Sequence, residues 1–114
     1  MKDDTVYLRH MLEMAEKAQT KVSGKTRQVF DEDEDLRMVL AYLIQVIGEA
    51  ASRVSEPTRA GHPEVPWAEI VGMRHRLVHD YMNVDYDIVW EVVVRKLPEL
   101  VDQLKRVALP PSPE

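Results

Sequence analysis

Leu36, Leu40, Leu43, Ile47, Ala50 and Val54 recur at intervals of 4, 3, 4, 3 and 4 residues. That rhythm commits the stretch to one continuous helical seam and excludes the period-two alternation of a half-buried strand. It predicts a helix over about residues 33–56. Val39, Tyr42, Ile44, Val46 and Ala51 widen the seam beyond a two-residue heptad stripe, so more than one face should be covered, by a packed bundle or by a second chain. The acidic run Asp31 to Asp35 stands where the positive end of this helix would be. Carboxylates there cap free N–H groups and complement the helix dipole. The run lacks the glycine turn and twelfth-position glutamate of an EF-hand loop, so a cation site is the poorer reading.

The flanking segments read the same way. Val6, Leu8, Met11, Leu12, Met14, Ala15 and Ala18 mostly follow spacings of three and four, which predicts an amphipathic helix over about 3–22, ended by Ser23 and Gly24. Pro57, Gly61, Pro63 and Pro66 hold residues 57–66 in a loop. A third helix is expected from Trp67 to His79 or Asp80, with Asn83 and Val84 as a short connection. Asp85 is then the N-cap of a fourth helix bearing Ile88, Val89, Val92, Val93 and Leu97. Pro98 either kinks that helix or opens a new one that continues through Leu100, Val101, Leu104 and Val107. No strand pair, glycine-rich phosphate loop or internal repeat is expected. The fold class is all-α, an antiparallel helical bundle of four to five main helices, with one domain over 1–109 and a frayed tail over 110–114.

Composition narrows the function. The chain has 114 residues and no cysteine, which excludes disulfides, thiolate metal sites and cysteine nucleophiles, and suits the cytoplasm. No apolar run approaches the length needed to cross a bilayer, and nothing apolar follows the opening Met-Lys-Asp-Asp as in a signal peptide. Neither export nor a membrane partner is expected. Fifteen basic against twenty acidic residues give a formal charge of -5, so any nucleic-acid contact must come from a local patch. Arg74 to Arg76, joined by Arg53 and Arg59, offers the one candidate patch.

Chemistry concentrates in Gly72-Met73-Arg74-His75-Arg76-Leu77-Val78-His79-Asp80-Tyr81, which holds half the chain's four histidines. On a continuing helix Arg74 would border the apolar face formed by Leu77, Val78 and Tyr81, while His75 and His79 would lie together at roughly 100° and 140° from it. A charge at that border should be paired or should line a pocket; a surface arginine lying over the core is the plainer alternative. His75 and His79 at i, i+4 could also present two imidazoles to a zinc ion, with His62 or Asp80 as third ligand. The glutamate of a metalloprotease helix is missing, however. A metal-free set fits better and needs no cofactor: histidine moves protons near neutral pH, and arginine holds a phosphate and stabilises its developing charge. Together they suit attack by a ribose 2′-hydroxyl on the adjacent phosphate, a nucleophile that RNA has and DNA lacks.

Arg74, His79 and Tyr81 reproduce the Arg-X4-His-X-Tyr motif of HepT-like proteins in the HEPN superfamily, and this chain resembles that family. Ile47-Gly48-Glu49-Ala50-Ala51, Pro66-Trp67, Asn83-Val84-Asp85 and Val89-Trp90 extend the resemblance over nearly the whole chain. It implies a helical bundle that forms a homodimer, with two motifs meeting in a cleft that acts as a metal-independent ribonuclease. It further implies the toxin of a two-gene toxin-antitoxin module, restrained by an MNT-type nucleotidyltransferase antitoxin that transfers AMP to Tyr81. On this reading Arg74 and His79 are catalytic, and His75 and Arg76 contact the RNA. His75 departs from the amide or acid common in the wider superfamily. Glu49, a carboxylate in an apolar seam, is the candidate partner of Arg74. The alternative is a non-catalytic module that binds a nucleotide or RNA and engages its nucleotidyltransferase partner.

Overall fold

A computed structural model describes residues 4–80 and 83–108, with only the backbone for Arg74, Val78, His79, Asp80 and Ala108. Helices α1 (Asp4–Val22), α3 (Glu34–Ser52), α5 (Trp67–Leu77) and α7 (Leu97–Ala108) form the bundle. Helix α3 packs on α1 and α5, and α1 packs on α7. Shorter helices α2 (Arg27–Glu32), α4 (Glu56–Gly61) and α6 (Tyr86–Glu91) fill the connections. The all-α helical bundle expected from the sequence is therefore present. The expected tail over 110–114 lies outside the described residues.

The heptad seam behaves as its spacing demands. Leu36, Leu40, Leu43, Ile47 and Ala50 are all buried on α3, and Val54 is buried just beyond its end. Asp33 serves two helices: its N–H donates to Phe30 O at the end of α2, and its carboxylate accepts from Leu36 N at 3.0 Å to open α3. Glu34 and Asp35 occupy the first turn as the dipole argument requires. Asp31 and Glu32 do not; they belong to α2, where Asp31 pairs with Arg27 at 2.8 Å. Gly24 ends the α1 segment in the left-handed region at φ 74°, a conformation that costs glycine nothing.

Four expectations are corrected. Residues 57–66 are not wholly loop, because Pro57 sits in the first turn of α4, where a missing N–H costs nothing. That helix is pinned to α1 by Asp4, whose carboxylate accepts from Ser55 N at 3.0 Å, Ser55 Oγ at 2.6 Å and Thr58 Oγ1 at 2.5 Å. The third helix stops at Leu77, and a strand pair does exist: β1 (Val78–Asp80) runs antiparallel to β2 (Asn83–Val84). The wide face of α3 is only partly covered, since Ile44 and Ala51 are buried whereas Val39 and Tyr42 are exposed. Of the two readings of Pro98, the structure takes the first: Pro98 is the second residue of α7, on a helical path that runs on from α6 through a widened turn.

A π turn over Val92–Lys96 joins α6 to α7, and Leu97 N–H reaches back five residues to Val92 O. The physical reason is Pro98, which has no N–H for the carbonyl four residues earlier and whose ring crowds it. One widened turn carries the chain past that conflict without breaking the helical path. Leu97, Leu100, Val101 and Leu104 then return to the core.

Candidate functional site

Trp67, Ile70, Met73 and Leu77 bury one face of α5, and Trp67 Nε1 ties the start of the helix to His62 O at 3.0 Å. Arg74 stands in the last turn, next to this buried stripe. At the helix end Leu77 O accepts from Asp85 N at 2.7 Å, and the Asp85 carboxylate accepts from Ile88 N at 3.2 Å to begin α6. Asp85 thus closes the open end of the β1–β2 ribbon and begins the next helix. Within the ribbon Val78 pairs with Val84 and Asp80 with Asn83. Two steps on β1 answer one on β2, so His79 is the extra residue of a bulge, a feature that re-aims a side chain and recurs beside active sites.

This changes the geometry expected from a helical wheel. Arg74 and His79 lie on two different elements, one on a helix and one on a bulged strand, so their angular separation on a helix has no meaning. The i, i+4 helical relation of His75 and His79 lapses for the same reason. Among the described residues, no group of three His, Cys, Asp or Glu side chains is placed to hold a metal ion; His62 instead lies 3.7 Å from Glu64. Tyr81 follows Asp80 and lies outside the described residues.

His75 and Arg76 are exposed on the last turns of α5. Arg76 lies 3.8 Å from Glu69, which also receives Lys96 at 2.7 Å. Arg76 therefore shares one carboxylate with Lys96 of the π turn. Glu49 on α3 pairs with Arg53 at 2.9 Å. That hydrogen bond and its charge, with Tyr7 adding to them, hold the Arg53 guanidinium above the usual arginine range. Arg59 is held in place by the fold, because its guanidinium donates to Val54 O and Ala51 O and closes the end of α3.

Beside the ribbon, a groove of about 520 Å³ runs between α3 and β2, lined by residues that include Arg37, Met38, Tyr42, Gln45, Asn83 and Tyr86. The apolar seam gave no hint of it, since by sequence Tyr42 belongs to a covered, widened face. Arg37 is anchored at its edge: Nη1 donates to Phe30 O at 3.1 Å and to Asp31 O, and the guanidinium faces the Tyr86 ring at 5.3 Å. Phe30, fully buried, touches Tyr86 edge-on and Trp90 at a tilt. Short helix α2 is thereby fixed against α6, with an Arg27–Asp87 ion pair at the rim.

A small helical bundle with an arginine at a helix end, a histidine on the bulge that follows, and a clamped ribbon between bundle helices defines a HEPN-like domain. The chain belongs to the family described as "Ribonuclease HepT-like", whose model matches residues 11–107. It is similar to "Putative RNase TTE0752" of Caldanaerobacter subterraneus subsp. tengcongensis, with 36% identity over 94% of this chain and 96% of that protein. It also resembles "Gamma-glutamylcyclotransferase and putative RNase MJ0434" of Methanocaldococcus jannaschii, at 31% identity over 93% of this chain but 48% of that longer protein. "Probable ribonuclease HepT" of Thermococcus cleftensis is 29% identical over 66% of this chain and 68% of its own. No solved structure gives a significant match.

Proposed function

We propose that this chain is a metal-independent endoribonuclease whose reacting groups are Arg74 and His79, and that it is the toxin of a two-gene module. The observation that carries this reading is the Arg-X4-His-X-Tyr spacing within a family match that spans residues 11–107. In the proposed step the His79 imidazole takes the proton of a ribose 2′-hydroxyl. The 2′ oxygen bonds to the adjacent phosphorus, and the bond from phosphorus to the 5′ oxygen breaks. The products are a cyclic phosphate end and a 5′-hydroxyl, the 5′ oxygen receiving a proton from water as it leaves. Arg74 holds the phosphate and offsets the negative charge that builds on it.

The formal charge of -5 bears on the assembly. A single copy offers little positive potential, and Arg53, Arg59 and Arg76 are engaged with protein groups. Two copies that set their motif segments side by side would concentrate positive potential in one cleft, so the homodimer belongs to the proposal. An MNT-type nucleotidyltransferase acting as antitoxin would silence the cleft by moving AMP to Tyr81, two residues beyond His79. The added phosphate charge and adenosine bulk would repel and obstruct RNA.

The test is incubation of the purified, unmodified protein with total RNA in chelator, beside His79→Ala, with analysis of the product ends. Cleavage to cyclic phosphate ends is expected from the wild type and none from the variant, with thermal unfolding nearly unchanged. Loss of folding together with activity would make His79 structural. Loss of activity in chelator would restore the reading built on His75 and His79 as metal ligands. No cleavage by a confirmed unmodified dimer would favour the binding module.

A further inference from the structure

The groove between α3 and β2 opens directly onto the strand that pairs with the His79 bulge. Its lining is unusual for a surface close to a phosphate site. Tyr42 is 64% exposed and Met38 is 56% exposed, on a helix whose other face is tightly buried. Gln45 and Asn83 contribute amides, and Tyr86 contributes a second phenol ring. The charged residues are one acid, Glu34, and one base, Arg37. Arg37 is already committed to two carbonyls and to the Tyr86 ring.

This lining disfavours a phosphate, which calls for converging cations. It favours a flat, neutral, hydrogen-bonding ring. Exposed aromatic rings stack on nucleobases, and amides present donor and acceptor together, as base edges do. We infer that this groove is a nucleobase subsite, in which a base of single-stranded RNA flanking the scissile phosphate stacks on Tyr42 and offers its edge to Gln45. The inference rests on the ribonuclease reading and extends it, because it gives the enzyme a means of choosing where to cut. The backbone route is short: a strand bound at the β1–β2 ribbon has the groove at its side, so its unstacked base is buried without a second domain.

The experiment measures fluorescence anisotropy with labelled 2′-O-methyl RNA ten-mers of A, C, G or U. The methyl group removes the attacking hydroxyl, so the wild-type protein binds without consuming the probe. Wild type is expected to prefer at least one base. Tyr42→Ala should weaken that binding about 5- to 160-fold, the range for one lost stacking partner, and level the preference among bases. Tyr42→Trp should restore both, and Gln45→Ala should change the preferred base more than the overall affinity.

Equal binding by Tyr42→Ala, or no binding of any ten-mer by the wild type, would overturn the subsite. Sedimentation velocity supplies a further decisive outcome. If Tyr42→Ala splits a dimer into monomers, this face of α3 belongs to a second copy of the chain and not to a base. Base-selective binding that depends on Tyr42, in a protein that does not cut RNA, would instead sustain the subsite and refute the cleavage reading.

Discussion

Replacing Phe30 with alanine should reveal how the small helix α2 supports the ribbon. Phe30 is the chain's one phenylalanine and is fully buried, while its neighbour Val29 is 42% exposed. Helix α2 has 6 residues, far below the roughly 12–15 at which an isolated helix becomes even marginally stable. Its place therefore depends on this ring, whose centroid lies 5.0 Å from Trp90 and 6.4 Å from Tyr86. Deleting a buried phenylalanine side chain costs about 3–5 kcal/mol. A chain of this size has about 6–17 kcal/mol of stability in all, so a large share would go. The melting temperature should fall by roughly 12–20 °C, at about 4 °C per kcal/mol. Urea unfolding followed by far-ultraviolet circular dichroism gives the free energy, and the near-ultraviolet signal reports on Trp90. Phe30→Leu should recover more than half the loss. RNA cleavage should fall as well, because α6 begins at Asp85, which clamps the ribbon that bears His79. A loss below about 1 kcal/mol would refute the reasoning, because it lies far outside the range for a buried ring.

Asp33→Ala should destabilise by about 1 kcal/mol, the usual cost of an N-cap, and Asp33→Asn should cost much less in the same urea titration. Asp4 gives a pH dependence of defined sign. The Ser55 hydroxyl first, then the Thr58 hydroxyl, hold its carboxyl below the usual carboxylate range, aided by the Ser55 N–H. Its contribution is therefore complete above the unfolded-state value and is lost as pH falls through the lower folded-state value. Asp4→Asn should reduce the loss of thermal stability on acidification. A wild-type and variant profile that run parallel through the acid range would show that the clasp carries no such linkage.

The bundle was legible in the sequence because helix periodicity is a local property. The seam from Leu36 to Val54, the acidic run that supplies the cap of α3, the Asp85 cap and the Gly24 stop each depend on residues within a few positions of one another. The Arg74, His79 and Tyr81 motif was legible for the same reason, and its flanks sufficed to indicate the family. Local chemistry also misled where two patterns compete. Residues 74–81 read as the end of a helix, yet Asp85 N takes the Leu77 carbonyl and turns the chain into a ribbon. Pro57 looked like a helix breaker, but a first-turn position makes it compatible with α4.

What periodicity alone determined is which residues are apolar on which helical face. Only tertiary structure decided which of those faces is covered, because burial depends on what another segment places opposite. In the sequence Tyr42 widens the apolar seam, but no described element covers it, and it forms a groove wall. By sequence Glu49 is the candidate partner of Arg74, whose side chain lies outside the described ones, and the fold also brings Arg53 to it at 2.9 Å. His79 changes most, because the pairing register of β1 with β2, rather than its own neighbours, places it on a bulge after α5.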